Sequence, residues 1–248
     1  MRNAVAIFHK QLASLVRNPA MLAQALAYIV IAAVITFLLN LLDSEECTDC
    51  IPAYVCAKCL EEGALANLPS PSMVGMFCMM FVGMAMVGSA SALVLEDKTT
   101  QNLRFMTMAG VKPYQYLLGT IPAVFVLALV VVILFSTVGG YFGAEMVRFV
   151  MITATGALVS TLLGVAIGLS RAPVLAAPAS IILGMGPMLS TFNETLARYL
   201  RFTYTQQINL AVSDLSQDMS GNFAIIGING LVVLLVFVWM HRRGEMRW

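Results

Sequence analysis

Four cysteines fall within thirteen residues, as Cys47-x-x-Cys50 and Cys56-x-x-Cys59. In a reducing compartment, paired C-x-x-C steps supply the four thiolates of a structural zinc site. In an oxidising one the same thiols close two disulfides, for which three connectivities exist. Unbridged thiols are a third reading, and the spacing leaves all three open. Asp43, Glu45, Glu46, Asp49 and Glu61 surround the cysteines, as expected of a solvated loop. The fifth cysteine, Cys78, stands alone in an apolar run and reads as a buried thiol without chemistry.

Other chemistries lack their residues. Ala109-Gly110-Val111-Lys112 has neither the first glycine nor the following Ser or Thr of a phosphate loop, so no ATP site is expected in the chain itself. No HExxH or GxSxG occurs, and no Asp, Glu or Lys lies in the middle of an apolar run. Intramembrane proteolysis and proton relays therefore have nothing to stand on. The chain is not expected to be an enzyme and no nucleic acid is expected to bind it, while a metal stays one of the open readings of the four cysteines.

Composition gives these residues their setting. Of 248 residues 60% are hydrophobic and 11% charged, with a mean hydropathy of +0.87. Soluble domains carry about 25% charged residues, so this is an integral membrane protein. A spanning helix needs about 20 apolar residues. Six runs meet or approach that length, at 20–42, 73–95, 115–138, 148–169, 172–190 and 222–240, the fifth interrupted by Pro173, Pro178 and Pro187.

Charge orients the runs. Arg2, Lys10, Arg17, Lys98, Arg104, Lys112, Arg171, Arg242, Arg243 and Arg247 share one face, whereas only Lys58, Arg148, Arg198 and Arg201 take the other. The positive-inside rule then puts both termini in the cytoplasm and the four-cysteine loop, residues 43–72, outside. The expected setting is a multi-pass protein of the bacterial plasma membrane.

Between the second and third runs lies Leu95–Gly119, LEDKTTQNLRFMTMAGVKPYQYLLG. It opens with charge at Glu96, Asp97 and Lys98, and Asp97 or Thr99 is expected to cap a short helix over 99–109. Gly110 is its stop, and Pro113 opens the next helix. Leu103, Phe105, Met106 and Met108 would leave four apolar side chains bare in water. A docking helix that fits a groove on a soluble partner explains them.

The same stretch resembles a family. An acidic and basic opening, then Leu-Arg-Phe-Met, Ala-Gly-Val-Lys-Pro and Tyr-Leu-Leu-Gly is similar to the permease subunit of type-2 ABC exporters. Thr99-Thr100 departs from the Gly-Thr often found there. The resemblance implies that residues 96–113 form a cytoplasmic coupling loop touching a separate cytosolic ABC ATPase, through which ATP and Mg act. Leu103, Arg104, Phe105, Met106 and Gly110 are the expected coupling residues, with Arg104 meeting an acidic site on the ATPase. It also implies two permease chains, a homodimer in membrane lipid.

Beyond that stretch, Phe8, Leu12, Leu15 and Pro19 recur at helical spacing, opposite Arg2, Lys10 and Arg17. Residues 1–18 therefore read as an amphipathic interfacial helix. The second run holds six of the seventeen methionines. Met76, Met80 and Met84 are candidates for a pliable substrate lining, beside the bland reading of packing methionines. Gly156, Ser160, Gly164 and Gly168 put small residues on one face of the fourth run, a helix-packing seam. Residues 191–221 read as a short amphipathic helix at the outer interface, on Leu196, Tyr199, Leu200 and Thr203, and then a polar link.

The expected whole is an all-α, six-span membrane domain with an interfacial N-terminal helix, a coupling helix and short external helices between spans 5 and 6. Its expected work is ATP-driven export of an apolar or amphipathic substrate (a lipid, drug or peptide). The alternative is a membrane-anchored sensor whose four-cysteine loop binds a ligand or metal.

Overall fold

The computed structural model describes residues 2–17, 23, 26–34, 37, 70–190, 194–213, 215 and 218–242. Among them all regular structure is helical. The elements are α1 (Arg2–Arg17), α2 (Ser70–Met80), a π-helical segment (Phe81–Met86), α3 (Val87–Thr99), α4 (Asn102–Met108), α5 (Pro113–Val138) and α6 (Ala144–Leu169). A 3₁₀ turn (Pro173–Leu175) then leads to α7 (Ala176–Ser190), α8 (Glu194–Leu200), α9 (Tyr204–Ser213) and α10 (Ser220–Arg242). Residues 26–34 are also helical. Cys47, Cys50, Cys56 and Cys59 lie outside the described residues.

Among the described residues, four helices are long and apolar enough to cross a membrane: Gly75–Thr99, Pro113–Val138, Ala144–Leu169 and Ser220–Met240. The fifth apolar run appears as a shorter apolar helix, Pro173–Gly186, and the first run is described only in part. The helix of the second apolar run continues to Thr99, four residues beyond that run, because Glu96, Asp97 and Lys98 are helical and each has somewhere to go.

Helix ends reflect their local chemistry. Pro113 opens α5 with the Lys112 N–H donating to Gln115 Oε1 at 3.1 Å. At the far end Gly140 takes φ +72°, with the Gly140 N–H on Thr137 O and the Tyr141 N–H on Ser136 O, a Schellman cap. Asp218 receives both the N–H and the hydroxyl of Ser220 at 3.0 and 2.9 Å. These bonds start α10 and hold the Asp218 carboxyl below the usual carboxylate range.

The small-residue face of α6 is a close-packed seam. A Cβ on Gly164 would lie 2.6 Å from Val87 O, and one on Gly168 would lie 2.9 Å from Val94 Cβ. These glycines therefore admit the α3 backbone. Further along the same face Gly156 meets Ile208, and Ser160 Oγ shares a 2.7 Å hydrogen bond with the Tyr204 hydroxyl. Close approach of this kind supplies the van der Waals packing that holds membrane helices together.

One expectation is overturned in the 191–221 segment. The helix on Leu196, Tyr199 and Leu200 is present as α8, but residues 204–213 form a second helix where a polar link was expected. Tyr204, Ile208, Ala211 and Val212 of α9 are buried, as are Thr205, Gln206, Gln207 and Asn209. The i, i+4, i+7, i+8 spacing of the apolar four is a helical stripe that the surrounding polar residues mask.

Candidate partner-docking site

The chemistry of the 96–113 loop starts at the end of α3. Asp97 is 4% exposed and accepts from four side chains. Lys10 Nζ lies 2.7 Å away, the Tyr116 hydroxyl 3.0 Å and Asn102 Nδ2 3.3 Å, with Gln11 Nε2 on the second oxygen. One carboxylate thus joins α1, α3, α4 and the first turn of α5. A buried charge is tolerated only when its lone pairs are filled in this way.

Lys98 points elsewhere. Its ammonium donates to Gly168 O at 2.7 Å and Ser170 O at 2.9 Å. These are carbonyls at the C-terminus of α6, where a cation also meets the negative end of the helix dipole. Adjacent residues thereby tie span 2 to two different neighbours. Glu96 is exposed and its carbonyl takes the Thr99 and Thr100 hydroxyls.

On this base stands α4. The expected cap is absent: Asp97 and Thr99 belong to α3, and α4 begins after Gln101, which takes the left-handed conformation at φ +57° without a side-chain cap. The expected stop is present. Gly110 has φ +76°, and the Gly110 and Val111 N–H groups bond Thr107 O and Met106 O, which is again a Schellman cap.

The apolar side chains of α4 divide. Leu103 is 4% exposed and anchors the helix inward, so it is not among the bare side chains expected from the sequence. Met106 is half-buried against the core. Phe105 and Met108 stand 60% and 66% exposed, with Arg104 exposed beside them. A seven-residue helix that keeps one apolar anchor and presents two large apolar side chains is a rigid two-knob surface.

α1 supports the same region. Ile7, Gln11 and Leu15 face inward, and Gly119 of α5 makes room for Ile7, since a Cβ there would lie 2.6 Å from Ile7 Cγ2. The helix is therefore docked on protein as well as amphipathic. Phe8 and Leu12, two of the residues that define its sequence stripe, pack at the edge of the core.

The methionines singled out in span 2 are half-buried at 76, 80 and 84. The Tyr28 hydroxyl reaches Met84 Sδ at 3.8 Å, and Gly184 of α7 seats against Met84. Met84 therefore lies in the contact between the π-helical segment and α7. Sequence reasoning missed Asp97, Gln11 and Tyr116 as a unit. The one available signal was Gln11, a polar residue on the Ile7–Leu15 apolar stripe.

Among the described residues, several membrane-length helices and a short helix rooted between two of them, with two large apolar side chains exposed, outline an all-helical multi-pass membrane domain. The chain belongs to the ABC-2 type transporter family, which matches residues 2–193. Comparison with curated proteins returns no match. Members of this family are the membrane subunits of ABC transporters and generally work with an ABC ATPase.

Proposed function

We propose that this chain is the six-span permease half of an ATP-driven exporter, with both termini in the cytoplasm and α4 as its coupling helix. Two such chains, a homodimer, would frame the path at their interface. ATP and Mg would be held by two separate ATPase subunits. The observation that carries the reading is the bare Phe105–Met108 face on a helix whose base is fixed by Asp97 and Lys98. A groove on the ATPase would cover that face, and movement of the ATPase would reach the spans through the base.

The moving seam in this reading lies between spans 2 and 5. Gly83 of the π-helical segment abuts the Leu183–Gly184 backbone of α7, where a Cβ on Gly83 would lie 2.7 Å from Gly184 N. π-Helical segments interrupt the regular ladder and cluster at functional sites, which suits a contact that must slide. The cargo is proposed to be apolar or amphipathic, because Met84 brings a pliable thioether to this seam and Met76 and Met80 stand half-buried on the same run.

The test is co-purification of the detergent-solubilised chain with its ATPase, comparing wild type with Phe105→Asp plus Met108→Asp. Carboxylates cannot enter an apolar groove cheaply, and both positions are on the surface, so the variant should fold and lose the ATPase. An undiminished complex would remove α4 from the coupling role.

A further inference from the structure

Beside α4 lies a second feature that docking through Phe105 and Met108 does not use. A cleft of about 450 Å³ opens between α4 and the turn after α6, lined by Lys98, Leu103, Arg104, Ser170, Arg171 and Pro173. Among the described residues its charged lining is entirely cationic. Lys98 is held in place by the Gly168 and Ser170 carbonyls, while Arg104 of α4 and Arg171 of the turn after α6 are exposed.

Depth indicates what the cleft meets. α6 has 26 residues, about 39 Å at the α-helical rise, against a hydrocarbon core of about 30 Å. The excess puts residues near its ends, Gly168 to Arg171 among them, in the headgroup layer. Next to the cleft, Val174 and Leu175 are 80% and 55% exposed, so apolar surface continues from the cationic lining into the start of α7. A carboxylate from a soluble partner would satisfy the charge and leave that surface bare. A lipid satisfies both, since guanidinium forks match phosphate oxygens and acyl chains cover apolar side chains.

We propose that this cleft binds the phosphate of an anionic phospholipid from the leaflet on the α4 side, with its chains over Val174 and Leu175. The lipid bridges α4 to the turn between α6 and α7. This proposal needs only a bilayer, so it stands or falls apart from the ATPase reading.

The experiment is native mass spectrometry of the purified chain in micelles containing phosphatidylglycerol and phosphatidylcholine. Wild type is compared with Arg171→Gln and with Arg104→Gln plus Arg171→Gln. Lys112→Gln serves as a control, because Lys112 does not line the cleft. Wild type and the control should retain phosphatidylglycerol preferentially, and each cleft arginine removed should lower that preference roughly fivefold. Millimolar inorganic phosphate should not displace the lipid. An unchanged preference in the double variant overturns the proposal. Displacement by phosphate also overturns it, marking a free-anion site. So does a double variant that keeps its lipid preference but loses the ATPase in phosphatidylcholine alone, because the cleft then takes a partner carboxylate.

Discussion

Lys10 Nζ lies 2.7 Å from Asp97 Oδ1, joining α1 to the end of span 2, yet the two sides of this ion pair differ in kind. The Asp97 side chain is 5% exposed and the Lys10 side chain 42%. The carboxylate is buried and depends on its donors, whereas the ammonium remains half in water. Removing one is therefore not equivalent to removing the other.

Asp97→Ala should be severe. It leaves the Gln11 amide and the Tyr116 hydroxyl without their acceptor in a buried site, at a cost of about 3 kcal/mol. Lys10→Met should cost less than about 1 kcal/mol, because a partly solvated pair contributes little net. Asp97→Asn should fall between, keeping one acceptor oxygen but turning a donor toward Gln11 and Tyr116. Melting of the purified variants in one detergent measures the order. Equal losses for Lys10→Met and Asp97→Ala would mean that the ion pair, and not the hydrogen-bond hub, holds α1.

Lys98→Met tests the other tie. The substitution keeps the aliphatic stem but leaves the Gly168 and Ser170 carbonyls without their charged donor, a loss of about 1–2 kcal/mol. Local effects should exceed global ones. Hydrogen exchange in the last turn of α6 and in residues 170–173 should quicken, with little change in α5, which Lys98 does not contact through these bonds. Uniform quickening across α5 and α6 would contradict a local clamp.

Legibility in the sequence depended on whether a feature was local. Gly110 as a helix stop, Pro113 as a helix start and the Gly156–Gly168 seam rest on backbone conformation or on periodicity within one element, and each is found in the structure. The misreadings at Asp97 and Leu103 share one cause. A charged residue just ahead of a short helix looks like its N-cap, and a leucine near three other apolar residues looks like one of four knobs. Asp97 is buried by partners on α1 and α5, which come from either side in the chain. α9 was obscured differently, since Gln206, Gln207 and Asn209 hide a stripe that only tertiary contact makes worth burying. Exposed apolar groups in a polar segment were expected at four positions, and that exposure is found for Phe105 and Met108.

Phe105→Ala separates docking from folding within the proposed function. The ring is mostly solvated in the isolated chain, so the permease should melt within about 0.5 kcal/mol of wild type. If α4 fits a groove on the ATPase, truncating a central aromatic anchor should weaken the complex by about 2 kcal/mol, roughly thirtyfold in Kd. Titration of the ATPase onto reconstituted permease reads this directly. A variant that melts early and binds normally would assign Phe105 to the fold instead.

The contact between Gly83 and Gly184 predicts an asymmetry. Adding a methyl to Gly83 drives it into backbone, 2.7 Å from Gly184 N and from the Leu183 carbonyl, and neither helix can yield without shifting as a whole. Adding one to Gly184 drives it into the Met84 side chain, whose unbranched thioether can rotate away. Gly83→Ala should therefore cost about 1–3 kcal/mol, while Gly184→Ala should cost under about 1 kcal/mol, in the range of overpacking a site beside a pliable neighbour. If this seam also slides during transport, Gly83→Ala should lower substrate-stimulated ATP turnover of the reconstituted complex even in the fraction that folds, and Gly184→Ala should leave it close to wild type. Equal stability losses would mean that Met84 is as fixed as backbone. A folded Gly83→Ala complex with full turnover would place the moving contact elsewhere than between spans 2 and 5.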